Sequence, residues 1–181
     1  MRSHIAPVIL FATLASSSIA QGDRRVSMEE LWAKCIDNSS ERLGALVARD
    51  WSHLIRLAKR DIALCKPIYG PEEISRLLAL IALGQSRTGK ASDALQTTNV
   101  CIRTFYPNTS CHLERSRSLF ALKQFEEARR SAEVTHRLIE HARQDAKERI
   151  EKLTDISSKD VWVSRLEQLD AEAEALTEIG P

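Results

Sequence analysis

The chain has 181 residues, 43% hydrophobic, 28% charged and only 5% aromatic, with six glycines and five prolines. Its 26 basic and 25 acidic side chains alternate in sign along the chain, which excludes both the basic, aromatic-studded stripe of a nucleic-acid surface and the polar, highly charged composition of a disordered protein. The length suffices for one ordered domain with its own core, and the composition predicts that it is all-helical.

Met1-Arg2-Ser3-His4 is followed by an apolar run from Ile5 to Ala15, then by Ser18-Ile19-Ala20 and Gln21. A basic start, a short apolar centre and a small-x-small exit have the form of a secretory signal peptide, too short in its apolar part to span a bilayer. Residues 1–20 are therefore expected to be cleaved after Ala20, leaving a periplasmic or secreted chain without a membrane span. Cleavage removes one base, Arg2, and no acid, so bases and acids become equal in number.

Four cysteines remain: Cys35, Cys65, Cys101 and Cys111. In an oxidising compartment an even count reads as disulfides, and four cysteines allow three pairings. Cys101 and Cys111 flank the turn Tyr106-Pro107-Asn108, which favours that pair and leaves Cys35 for Cys65. No cysteine or histidine pair has the short spacing of a zinc site, so neither a metal nor a cofactor is expected.

Along the mature chain, Ser27 to Leu31 is a helix start in which Ser27 and Glu30 form a capping box and Val26 staples onto Leu31. This helix is expected to end near Ile36, with Asp37-Asn38-Ser39-Ser40-Glu41 breaking it and Asn38 capping the next. Asn38-Ser39-Ser40 and Asn108-Thr109-Ser110 fit the glycosylation pattern, but both also read as capping turns. Leu43 to Ala48 and Trp51 to Cys65 form a helical pair, and in the second helix Trp51, Leu54, Ile55, Ala58, Ile62 and Cys65 share one face. Gly70-Pro71-Glu72-Glu73 opens another helix, with proline at the first position and acids at the positive end of the dipole. Its run Leu77 to Leu83 is apolar all round, which requires cover on nearly every side. Gly89 is the expected left-handed C-cap, and Ser92 to Thr104 the helix after it.

Ala91-Ser92-Asp93-Ala94 and Phe125-Glu126-Glu127-Ala128 close two matching two-helix phrases, with Ala94 and Ala128 about 34 residues apart. Trp51 and Pro67 repeat the spacing of Ala91 and Pro107, so residues 28–67 read as a degenerate first copy with a longer connecting loop. With Ala82, Gly89, Ala94 and Pro107 in one copy and Leu119, Phe125 and Ala128 in the other, the chain resembles the tetratricopeptide-repeat family. Gln85 and Arg115 depart from the aromatic or leucine side chains usual there. The resemblance implies a right-handed α-solenoid of two to three helix pairs over residues 21–135. It further implies a concave groove that holds a protein or peptide partner, faced by Arg76, Leu83 and Arg87 in one repeat and by Leu113, Arg117 and Phe120 in the next. Arginines beside apolar side chains suit a ligand with a carboxylate and a hydrophobic anchor.

From Phe125 the positions Ala128, Ala132, Thr135, Ile139, Ala142, Ala146 and Leu153 continue a helical seam, interrupted at Arg149. Trp162, Leu166, Leu169, Ala173 and Leu176 form a second seam. Residues 136–181 therefore read as a long-helix antiparallel hairpin, either the cap that a solenoid needs at its end or a homodimer surface. Its acidic second arm is expected to pack against Arg137, Arg143 and Arg149.

No phosphate loop, nucleophile elbow or zinc-protease motif is present, and His53, His112, His136 and His141 have no carboxylate spaced to orient them as bases. The expectation is an exported, non-catalytic adaptor. The alternatives are a small helical enzyme, whose cleft would hold a histidine or a carboxylate pair, and a periplasmic inhibitor or immunity-type protein.

Overall fold

The computed structural model describes residues 27–179, so the expected signal peptide, the Val26 staple and Gly180-Pro181 lie outside the described residues. Every regular element among those residues is a helix: α1 Met28–Val47, α2 Trp51–Cys65, α3 Pro71–Arg87, α4 Ala91–Thr104, α5 Thr109–Ala121, α6 Phe125–Lys152 and α7 Ile156–Thr177. None is long and apolar enough to cross a membrane.

The capping box forms as the sequence predicts, Ser27 Oγ accepting from the Glu30 amide and the Glu30 carboxylate from the Ser27 amide. The break expected after Ile36 does not form, and α1 runs unbroken to Val47. The polar residues that would compete with the helix in isolation find partners instead. Asn38 Nδ2 donates to Asp61 Oδ1 at 2.7 Å, Asn38 Oδ1 accepts from Arg60 at 2.8 Å, and the Ser39 hydroxyl donates to the Ile36 carbonyl at 2.7 Å. Asp61 is fully buried and is also ion-paired with Arg42. Asn108 does cap its helix, accepting from the Cys111 amide and donating to Ser75 Oγ at 2.8 Å. Both asparagines of the glycosylation patterns are thus held in internal hydrogen bonds.

Helices α1 to α6 form three consecutive pairs whose turns are built alike. Arg49, Gly89 and Lys123 each take positive φ, at 55°, 76° and 61°. The next residue's amide (Asp50, Lys90, Gln124) donates back at 2.9 Å to Ala45, Gln85 and Leu119 respectively, the Schellman closure of a helix C-terminus. The first interval is longer than the second mainly because α3 has 17 residues where α5 has 13. The extra length expected in the connecting loop is therefore largely one more helical turn.

Packing follows the same repetition. The apolar run of α3 is covered by α2, α4 and α5; α5 packs on α3 and α4, and α7 packs on α5 and α6 in the same relation. Leu54, Ala58 and Cys65 of the predicted α2 face are buried. α2 crosses α3 at Gly84, where a Cβ would stand 2.7 Å from the Ile55 side chain and 3.2 Å from the Trp51 carbonyl oxygen. Gln85 and Arg115 tie neighbouring helices together, Gln85 Oε1 accepting from Thr97 at 2.8 Å and Arg115 Nε donating to Asn99 at 3.2 Å. Cys35 and Cys65 lie at disulfide distance, as do Cys101 and Cys111, with Cα atoms 6.1 Å apart in both pairs. Bonds closing loops of 30 and 10 residues stabilise by about 3.6 and about 2.7 kcal/mol in the chain-entropy treatment.

The tail is a hairpin of α6 and α7. Ala128, Thr135, Ile139 and Ala146 are buried on one arm and Leu169 on the other. Arg143 bridges to Asp170 at 2.5 Å. Arg149 interrupts the apolar seam because its guanidinium lies over the Trp162 ring, 4.6 Å from the centroid. α6 continues through residue 135 without interruption.

Candidate functional site: a cleft between α3, α5 and α7

α7 packs on α5 and α6 but, among the described elements, not on α3. The gap between α3 and α7, with α5 between them, is a cleft of about 1300 Å³. α3 supplies Glu72, Arg76, Ala79, Leu80, Leu83 and Arg87, and α5 supplies Ser110, Leu113, Glu114 and Arg117. α7 contributes Trp162, Arg165, Gln168, Glu172 and the small Ala171 and Ala175, while His141, Ala142 and Asp145 of α6 form part of the rim. Beyond Arg87, Glu114 and Arg117 the cleft adjoins a smaller depression of about 570 Å³ that also takes in Lys90, Ala121 and Leu122.

Five of the six residues named from the repeat pattern, Arg76, Leu83, Arg87, Leu113 and Arg117, line this cleft. Phe120 does not. It is half exposed at the end of α5 and packs edge-to-face on Phe125, centroids 5.4 Å apart. The difference is one of register. The 34-residue offset relates Arg76 to Ser110, Ala79 to Leu113, Leu80 to Glu114, Leu83 to Arg117 and Arg87 to Ala121, so the α5 counterpart of Arg87 is Ala121. Applied to Arg76, the offset also finds Ser110, while Glu114 is the counterpart of Leu80, which only the structure places in the cleft. The α7 wall has no such signal, because α6 outlasts the repeat length before the chain turns back.

The polar groups of the cleft fall into paired and unpaired sets. Arg76 pairs with Glu72 at 2.5 Å across one exposed helical turn, and Arg117 with the buried Glu114 at 2.6 Å. Arg165 donates to the Thr109 hydroxyl at 3.3 Å. Among the described residues neither Arg87 nor Arg165 has a carboxylate within ion-pair distance. Glu172 is buried and accepts on Oε1 from Ser110 at 2.5 Å and from Gln168 at 2.9 Å. The other carboxylate oxygen is buried without a partner in both Glu114 and Glu172.

Compared with known proteins, the chain matches no family model, no curated protein and no solved structure. The cleft is accordingly read from its own chemistry: an open, largely apolar channel with arginines at intervals and two buried carboxylates in its walls.

The histidines contribute little to it. His112 lies away from the cleft lining, its Nε2–H donating to the Tyr106 carbonyl at 2.9 Å with the Tyr106 ring edge-on at 5.0 Å. Burial pushes its pKa below the ordinary value, outweighing the pull of that carbonyl. His141 stands exposed on the rim. No group of three or more histidine, cysteine or acidic side chains among the described residues is arranged to hold a metal ion.

Proposed function

We propose that this protein is an exported, non-catalytic adaptor: a tetratricopeptide-like, right-handed stack of three helix pairs whose concave cleft holds a peptide or a helix of a partner protein. The observation that carries the reading is the convergence of Arg76, Leu83, Arg87, Leu113 and Arg117 on one cleft that is large, open and mostly apolar. A channel of this kind buries an extended or helical segment, while its few polar groups fix register. Arg87, with no carboxylate of its own, offers a planar fork of donors to an acidic group of the ligand. Two further observations support the architecture and the location. The three helix turns repeat one backbone solution, and both cysteine pairs stand at disulfide distance, which suits an oxidising compartment.

The alternative of a small helical enzyme draws on one observation, the presence of the buried Glu114 and Glu172 in the same cleft. The two readings part in their response to a probe. A photoreactive amino acid placed at Ala171, exposed in the α7 wall of the cleft, should capture a defined protein or peptide from the protein's native compartment. The same amino acid at Lys59, exposed on α2, should not. Equal capture from the two positions, or none from Ala171, would remove the adaptor reading.

A further inference from the structure

We infer that the ligand carries a basic side chain, lysine or arginine, that enters the cleft and pairs with Glu172 and Glu114. This rests on the reading of the cleft as a peptide site and names the ligand's chemistry within it. Glu172 is 7% exposed and Glu114 4%, and each has one carboxylate oxygen shut away with no hydrogen-bond partner. A buried acceptor left unmade is costly, and a buried carboxylate without a cation more so. Glu114 has at least Arg117, whereas Glu172 has only the neutral donors of Ser110 and Gln168. Arg165, on the same helix, turns to Thr109 instead.

Neither position calls for an acid on grounds of packing. Glu114 stands in the repeat register of Leu80, where a stack built only for stability would place an apolar side chain. Glu172 takes the buried place next to Ala173, the small residue that the α7 seam supplies there. Both walls thus carry a buried carboxylate, one on α5 and one on α7, beside the apolar Leu80, Leu113 and Ala175 of the same lining. A lysine or arginine matches that surface along its whole length, since its methylene stem can lie on Leu80, Leu113 and Ala175 while its head carries the donors. The terminal torsion of a glutamate is soft, so a small rotation turns the orphaned oxygen toward the entering cation.

The test is selection of a random peptide library on the purified protein and on Glu172→Gln and Glu114→Gln, with circular dichroism melts verifying each fold. Trp162, in the cleft wall, reports occupancy by its emission. Wild type should enrich peptides with lysine or arginine at one fixed position between apolar residues. Those peptides should bind Glu172→Gln at least tenfold more weakly. Replacing the selected base by norleucine should cost a similar factor on wild type, a measurement that stands even if a variant fails to fold. Enriched peptides without a fixed base, or norleucine peptides that bind wild type within twofold, overturn the inference and leave the peptide-site reading intact. No enrichment above the bare matrix, with Trp162 emission unchanged, overturns both.

Discussion

Gly89 and Lys123 hold the same left-handed backbone, φ 76° and 61°, at the same point of successive helix turns. That conformation costs an L-residue with a Cβ roughly 1–2 kcal/mol, while glycine adopts it freely. Around Gly89 an added Cβ would meet nothing within 4 Å, so the cost of Gly89→Ala is one of backbone alone. It should destabilise by about 1 kcal/mol, and Lys123→Gly should stabilise by somewhat less than that, because the unfolded chain also gains freedom. Urea unfolding midpoints check both signs; a stabilising Gly89→Ala would show that the turn is built differently.

Asp61 has no exposed surface, and its partners are Arg42, Asn38 and, at 3.6 Å, Arg60. Removing one partner of a buried pair leaves an uncompensated charge and costs about 3–5 kcal/mol, whereas replacing both by apolar groups is often close to neutral. Arg42→Ala should therefore destabilise far more than the double variant Arg42→Met with Asp61→Leu. Equal losses in thermal melts would mean that the pair is not buried as described.

His112 gives stability a defined pH dependence. Its pKa in the folded protein lies below the ordinary 6.5, chiefly through burial. Below 6.5 the unfolded chain therefore binds more protons than the folded one, and stability rises with pH across this window. The contribution is fully present above about pH 6.5 and is lost as pH falls through the depressed folded value. His112→Gln can still donate to Tyr106 and should flatten the loss between neutral and mildly acid pH. An unchanged slope would place the acid sensitivity elsewhere.

The sequence disclosed most of this architecture where a single periodicity governed it. The capping box at Ser27, the glycine cap at Gly89, the buried face of α2 and the two long seams of the hairpin were all visible as local patterns. α1 was not, because Asn38 and Ser39 read locally as breakers, and the partners that hold Asn38 within the helix, Asp61 and Arg60, lie more than 20 residues away. The cleft was legible on α3 and α5, where the repeat offset carries from one helix to the next. Phe120 lies outside its lining, since the offset from Arg87 leads to Ala121. The α7 wall depends on where a long hairpin folds back, which spacing alone does not state.

Polar contacts add to the buried seam of that hairpin and join it to α5. Arg149 stacks on Trp162, Arg143 bridges to Asp170, and Ser110 donates to Glu172. Deleting Asp160 to Pro181 would uncover Ile139 and Ala146 and remove one wall of the cleft, so the truncated chain should melt at lower temperature and aggregate. Trp162→Ala should destabilise by about 1–3 kcal/mol through lost burial and the lost cation–π contact. An unchanged melt for the truncated chain would remove the capping role of α7.

We propose above all that a peptide lies in the cleft between α3, α5 and α7. Amide hydrogen exchange of the protein, with and without a peptide selected on it, tests this most directly. The expected result is slowed exchange in α3, α5 and α7, with α1 and α2 unchanged. Protection confined to α1 and α2, with the cleft helices exchanging as in the free protein, would contradict it.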